Sequence, residues 1–244
     1  MTYCLGILLP TGLIMASDSR SNAGVDQVAK VRKLETVVVP GERVVAILSA
    51  GNLATTQWVV SSLKEAAAGK GAKDSLRSAR TMFEVAKAVG SSLREVIDRD
   101  DKYVSPYGDA SGGFIVGGQI KGEPPRMFQI YSAGNFIEAS PRSCFLQVGE
   151  TKYGKPILDR ALSPDSTMDE AAKLALLSFD ATLRSNLSVG LPIDMLRYKA
   201  DSFSADNVVT FEENDSYFRA LRRAYADGLS ALVNSLSPPS PAGQ

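Results

Sequence analysis

At 244 residues, with 44% hydrophobic and 22% charged content, the chain is long enough to bury one substantial core without a metal or a disulfide. Its 27 basic residues balance 27 acidic ones and no long basic run occurs, which argues against nucleic acid as a partner. Histidine is absent, which excludes an in-chain Ser-His-Asp or Cys-His device and the usual His/Cys zinc site. A hydrolase built on this chain needs another base.

Threonine follows the initiator methionine. Removal of Met1 leaves Thr2 with a free α-amine and a secondary hydroxyl, a nucleophile and a base in one residue. An α-amine titrates at about 7.7–8.0, so it is substantially neutral near physiological pH and able to take the hydroxyl proton. Two apolar runs, Thr2 to Leu8 and Leu13 to Ala16, flank Pro10-Thr11-Gly12 and predict a hairpin that starts at the chain terminus, with Asp18 closing its second strand. Lys33 lies in a third strand candidate, Val31 to Val39. Beside an acid and a second amine, it raises the local positive potential and favours the neutral amine. A fourth strand, Arg43 to Leu48, runs into Ser49-Ala50-Gly51 ahead of a helix.

Apolar spacing predicts helices over Leu53 to Ala68 and Leu76 to Asp98, with Gly69-Lys70-Gly71 as the break. From Ser111 to Val148 short apolar runs, Phe114 to Val116, Met127 to Tyr131 and Cys144 to Leu146, read as strands. Helices return over 169–187 and 215–236, separated by a strand at 206–211. The pattern alone gives an α+β chain. In the last helix Tyr217, Phe218, Leu221, Tyr225, Leu229, Leu232, Val233 and Leu236 make a broad apolar face that packs on its own sheet or meets a neighbouring subunit. One domain over 1–236 and a mobile Pro/Ser-rich tail over 237–244 are expected. Cys4 and Cys144 sit in apolar surroundings as small buried hydrophobes suited to a reducing compartment, and Cys4 is a poor second to Thr2 as nucleophile. No signal-peptide pattern and no run of about 18 apolar residues occurs, so a cytoplasmic protein with no membrane partner is expected.

Thr2, the strand end Ser17-Asp18-Ser19-Arg20, Lys33 and the turn Ser49-Ala50-Gly51 resemble the N-terminal half of a proteasome-type β subunit, within the N-terminal nucleophile hydrolases. The phrases Gly149 to Pro156 and Ser188 to Asp194 are similar to the bacterial Anbu subfamily, so the resemblance covers nearly the whole chain. It implies a four-layer αββα sandwich of two antiparallel sheets flanked by helices. It also implies a threonine peptidase or amide hydrolase without cofactor or metal, acting on a peptide or amide substrate within a homo-oligomer that forms a ring or an open helical arrangement. No unfoldase partner is indicated. Thr2 is then nucleophile and base, Asp18 and Lys33 orient and polarise it, the Gly51 N–H stabilises the oxyanion, and Ser188 keeps a serine role near the amine. Ser21 and Ser49 are the substrate-binding candidates. Lys30 offers a competing alignment to Lys33, which is preferred because it needs the smaller deletion. Two positions depart from the proteasome pattern: Glu150 stands after Gly149 where a serine is usual, and Ser185 stands where an acid is usual. A small-molecule amidase and a catalytically weak assembly scaffold are the alternative functions.

Overall fold

The computed structural model describes residues 1–22, 28–67 and 76–239. The expected break at Gly69-Lys70-Gly71 and the end of the expected tail, 240–244, lie outside them.

The chain enters through β1 (Tyr3–Leu9), turns at Pro10-Thr11 and returns as β2 (Gly12–Asp18). A short ribbon follows, β3 (Arg20–Asn22) against β4 (Val28–Lys30). Next come β5 (Leu34–Val39), β6 (Arg43–Gly51), α1 (Leu53–Ala67) and α2 (Met82–Val104). Then β7 (Gly112–Ile120), β8 (Arg126–Ile130), β9 (Phe136–Glu138) and β10 (Phe145–Gly149) precede α3 (Lys155–Ala161) and α4 (Met168–Ser185). The remaining elements are β11 (Ile193–Lys199), β12 (Val208–Phe211) and α5 (Ser216–Ser235).

Two five-stranded antiparallel sheets result, ordered β10-β1-β2-β11-β12 and β5-β6-β7-β8-β9. Side chains alternate across each strand and sort into separate cores. On β1, Tyr3, Leu5, Ile7 and Leu9 face Ala171, Ala175 and Phe179 of α4, joined by Phe218 of α5. On β6, Val45 and Ile47 face Val59 of α1 and Val85, Val89 and Leu93 of α2. The opposite faces, Cys4, Leu13 and Met15 against Leu34, Ala46, Leu48 and Ile115, form the layer between the sheets. This is the four-layer αββα sandwich. Gly6 lets the sheets close, since a Cβ there would stand 2.3 Å from Met127 Sδ.

The sequence missed some elements and displaced others. The helix expected from Leu76 starts at Met82, because Thr81 Oγ1 caps it by accepting the Glu84 N–H at 3.2 Å. The Arg43 guanidinium meanwhile holds the preceding turn through the carbonyls of Leu76 (3.1 Å) and Ala79 (2.7 Å). β11 went unrecognised because Asp194 and Arg197 interrupt its apolar pattern. Tertiary partners satisfy both: Thr210 Oγ1 donates to Asp194 at 2.7 Å, and Arg197 pairs with Asp169. α3, seven residues with a proline in its first turn, is too short for periodicity to reveal. α5 docks by Phe218, by partly buried Leu221 and by Arg222, whose Nε reaches Asp180 at 2.6 Å. Beyond that first stretch Leu229, Leu232, Val233 and Leu236 are exposed. No helix among the described residues is long and apolar enough to cross a membrane.

Candidate active site

Strand pairing builds the site at one end of the β10-β1-β2-β11 sheet. The β1–β2 register sets Cys4 against Ser17 and so carries Asp18, the last residue of β2, opposite Tyr3. Asp18 Oδ1 accepts the Tyr3 N–H at 3.1 Å, one peptide unit beyond Thr2. Its Oδ2 accepts the N–H groups of Arg20 (3.2 Å) and Gly190 (3.1 Å). The Lys33 ammonium completes the set at 2.7 Å from Oδ1 and donates also to the Arg20 carbonyl at 2.6 Å. Both charged side chains are buried, Asp18 at 0% and Lys33 at 5% exposure. Burial pushes the Asp18 carboxyl up from its ordinary value, and the Lys33 charge, its hydrogen bond and the backbone donors pull it back.

Lys33 precedes β5 and is tied to the second sheet, since its carbonyl accepts the Ser49 N–H at 3.1 Å. The ion pair therefore bridges the two sheets beside Thr2. Lys30, the competing residue, lies on the exposed ribbon strand β4, 3.6 Å from Glu212, and lines a separate cleft of about 360 Å³ with Ser19, Arg32 and Asp194.

Thr2 is 9% exposed, and its carbonyl accepts the Glu150 N–H at 2.7 Å. Gly51 ends β6 at φ +109°, and a Cβ there would stand 2.6 Å from the Ser111 carbonyl oxygen. Glycine alone turns the chain there from strand into α1. Ser188 lies in the loop between α4 and β11, its N–H held by Asn186 Oδ1 at 2.8 Å. Two residues on, Gly190 reaches Asp18. Ser185 is exposed at the end of α4, so no acid is present at that position. Ser21 lies on β3 in the ribbon that follows Asp18, and Ser49 on β6 is partly buried. Cys4 is fully buried and donates to the Ser49 carbonyl at 3.4 Å; burial pushes its thiol far up, which suits a packing role.

Beneath Thr2 lies a polar network that no sequence pattern signals. The Tyr3 hydroxyl accepts from Gln147 Nε2 at 2.6 Å and stands 2.6 Å from Ser178 Oγ, with burial pushing the phenol up to about 12. The only available signal was a tyrosine at a core-facing position of β1. A cavity of about 670 Å³ between α1 and α2 is lined by Trp58, Leu63, Glu84 and Glu95 and includes none of Thr2, Asp18 or Lys33.

The sequence model of the family described as proteasome subunit matches residues 2–196. The chain belongs to the proteasome subunit family. Its similarity to solved Anbu structures extends over the full length and makes it an Anbu-type subunit. It is 46% identical to an Anbu (Gly-1) mutant from Hyphomicrobium sp. strain MC1, with TM-score 0.92, covering 99% of this chain and 100% of that one. For Anbu (ancestral beta-subunit) from Yersinia bercovieri the values are 45%, 0.92, 99% and 100%. For the Anbu complex from Pseudomonas aeruginosa, solved as a helical assembly, they are 45%, 0.94, 99% and 100%. No curated protein matches the chain.

Proposed function

We propose that this Anbu-type subunit is an N-terminal threonine hydrolase that cleaves an amide bond of a peptide-like substrate once Met1 is removed. The observation that carries this reading is the buried Asp18–Lys33 pair fastened to the Tyr3 N–H, which holds paired charge immediately beside Thr2. Thr2 Oγ attacks the carbonyl carbon while its proton passes to the Thr2 α-amine, directly or through a water. The amine then delivers that proton to the departing amine as the C–N bond breaks. Water hydrolyses the acyl-threonine ester and regenerates the hydroxyl. Lys33 supplies positive potential at the nucleophile, Asp18 fixes Lys33 and the start of β1, and the Gly51 N–H stabilises the oxyanion. Ser188 is assigned the serine role near the amine, and Ser21 and Ser49 are assigned to substrate binding. The chain acts as one domain in a cytoplasmic homo-oligomer. The helical assembly of the Pseudomonas aeruginosa relative and the exposed apolar side chains of α5 support self-association.

Intact-mass measurement of the purified protein tests the base: the expected chain lacks Met1, and retained Met1 in active protein overturns it. Covalent labelling by a peptide electrophile tests the nucleophile. The expected adduct maps to Thr2 Oγ and disappears in Thr2→Ala with the fold intact. An adduct elsewhere, or full hydrolysis by Thr2→Ala, refutes the reading.

A further inference from the structure

Glu150 takes the place of the serine usual in proteasome subunits, and one of its oxygens accepts no hydrogen bond from the described residues. Gly149, at φ +87°, turns the chain at the end of β10 so that the Glu150 N–H meets the Thr2 carbonyl at 2.7 Å. The register that pairs Tyr3 with Gly149 then carries Glu150 opposite Thr2. Its side chain is only 2% exposed. Oε2 accepts from Asn186 Nδ2 at 2.8 Å, whereas Oε1 has no hydrogen-bond partner among the described residues, with Lys152 Nζ standing 3.8 Å away on a side chain 76% exposed. A buried carboxylate oxygen left without a donor is costly, and more so than a neutral group. With Met1 attached, Thr2 offers only an amide N–H. Once Met1 is gone, the same residue carries an ammonium with three donors.

We propose that Glu150 is the positioning residue for the α-amine of processed Thr2, its Oε1 accepting a hydrogen bond from that amine. The inference rests on Thr2 becoming the N-terminal residue, but it does not require turnover. The charged groups gathered at this end of the sheet among the described residues include Asp18 from β2, Arg20 from β3, whose guanidinium donates to the Leu187 carbonyl, Lys33 from the segment before β5, and Glu150 and Lys152 from the segment after β10. Asn186, at the end of α4, contributes a neutral amide. Of these, Glu150 is the acid opposite Thr2, so it favours the charged amine and makes it a stronger base that becomes available at higher pH. It also gives the folded state a preference for the processed chain.

The test is competitive acetylation of the α-amine with trace acetic anhydride across pH, read by mass spectrometry of the N-terminal peptide of the Met1-free protein. This gives the amine's titration midpoint without any assay of hydrolysis. Glu150→Gln, which keeps the shape and can still hydrogen-bond Asn186, is expected to lower the midpoint by about one pH unit. Glu150→Asp, which keeps the charge on a shorter stem, is expected to lower it by less. An unchanged or raised midpoint in Glu150→Gln overturns the proposal. If Glu150→Gln does not fold by circular dichroism, the Glu150→Asp midpoint decides, and an unchanged value overturns it. A midpoint that moves while Thr2 Oγ resists the peptide electrophile overturns the hydrolase reading and leaves the Glu150–amine contact standing. Electrophile labelling with an unmoved midpoint does the reverse.

Discussion

Replacing Lys33 with methionine removes one charge from a buried pair and keeps most of the packing volume. The two charges lie 2.7 Å apart with side-chain exposures of 5% and 0%. At an effective dielectric constant of about 20, their gross attraction is roughly 6 kcal/mol. The variant also escapes the desolvation of the ammonium, so the net loss falls in the range of about 3–5 kcal/mol found when one partner of a buried pair is removed. For a chain of this size that is a fall of roughly 6–20 °C in Tm. The loss depends on pH. Burial raises the Asp18 carboxyl in the folded state, so the folded chain binds that proton more tightly than the unfolded chain does. This contribution to stability is fully present below the unfolded value of about 3.9 and is lost as pH rises through the raised folded value. Without Lys33 the folded value rises further, so acid relieves the variant more than the parent, by at most about 1.4 kcal/mol per pH unit. Thermal unfolding at fixed protomer concentration, at about pH 8 and about pH 5, measures both effects. The expected result is a large deficit at the higher pH that shrinks at the lower one, with Lys30→Met changing Tm little because Lys30 is 69% exposed. Equal deficits at the two pH values, or a larger effect at Lys30, refute the reasoning.

Gly51→Ala should cost about 1–3 kcal/mol and suppress electrophile labelling of Thr2, because a Cβ at φ +109° collides with the Ser111 carbonyl and moves the Gly51 N–H; unchanged labelling kinetics would remove Gly51 from the oxyanion site. Tyr3→Phe should destabilise by about 1–3 kcal/mol in urea titration, since Gln147 Nε2 and Ser178 Oγ lose the phenol between them. The Tyr3 phenol, pushed up to about 12, favours folding below its unfolded value near 10. That contribution fades as pH rises through its folded value, so the parent should lose stability over that alkaline interval faster than Tyr3→Phe does. A double charge insertion, Leu232→Glu on α5 with Leu236→Glu just past its end, should change the protomer's stability by no more than about 0.5 kcal/mol and reduce the assembly seen by light scattering. Unaltered assembly would place the subunit contact elsewhere.

Much of this protein follows from local pattern. The terminal hairpin, the strand ending at Asp18, the strand-to-helix turn at Gly51 and the helices over the fourth and fifth helical segments are legible in sequence, because period and turn chemistry depend on near neighbours. Missing histidine and a threonine after Met1 narrow the chemistry in the same local way. The stacking of two sheets between helices followed from family resemblance, since periodicity records which face of an element is apolar and not what covers it. Lys33 and Lys30 are alike as text. They separate only when β5 packs under β2, which buries one ammonium against Asp18 and leaves the other on an exposed ribbon. The Gly190 N–H on Asp18, the phenol of Tyr3 between Gln147 and Ser178, and the Glu150 N–H on the Thr2 carbonyl likewise join residues more than a hundred positions apart. Hydrogen bonds and ion pairs act over a few ångströms of space, and only the closed fold sets those distances.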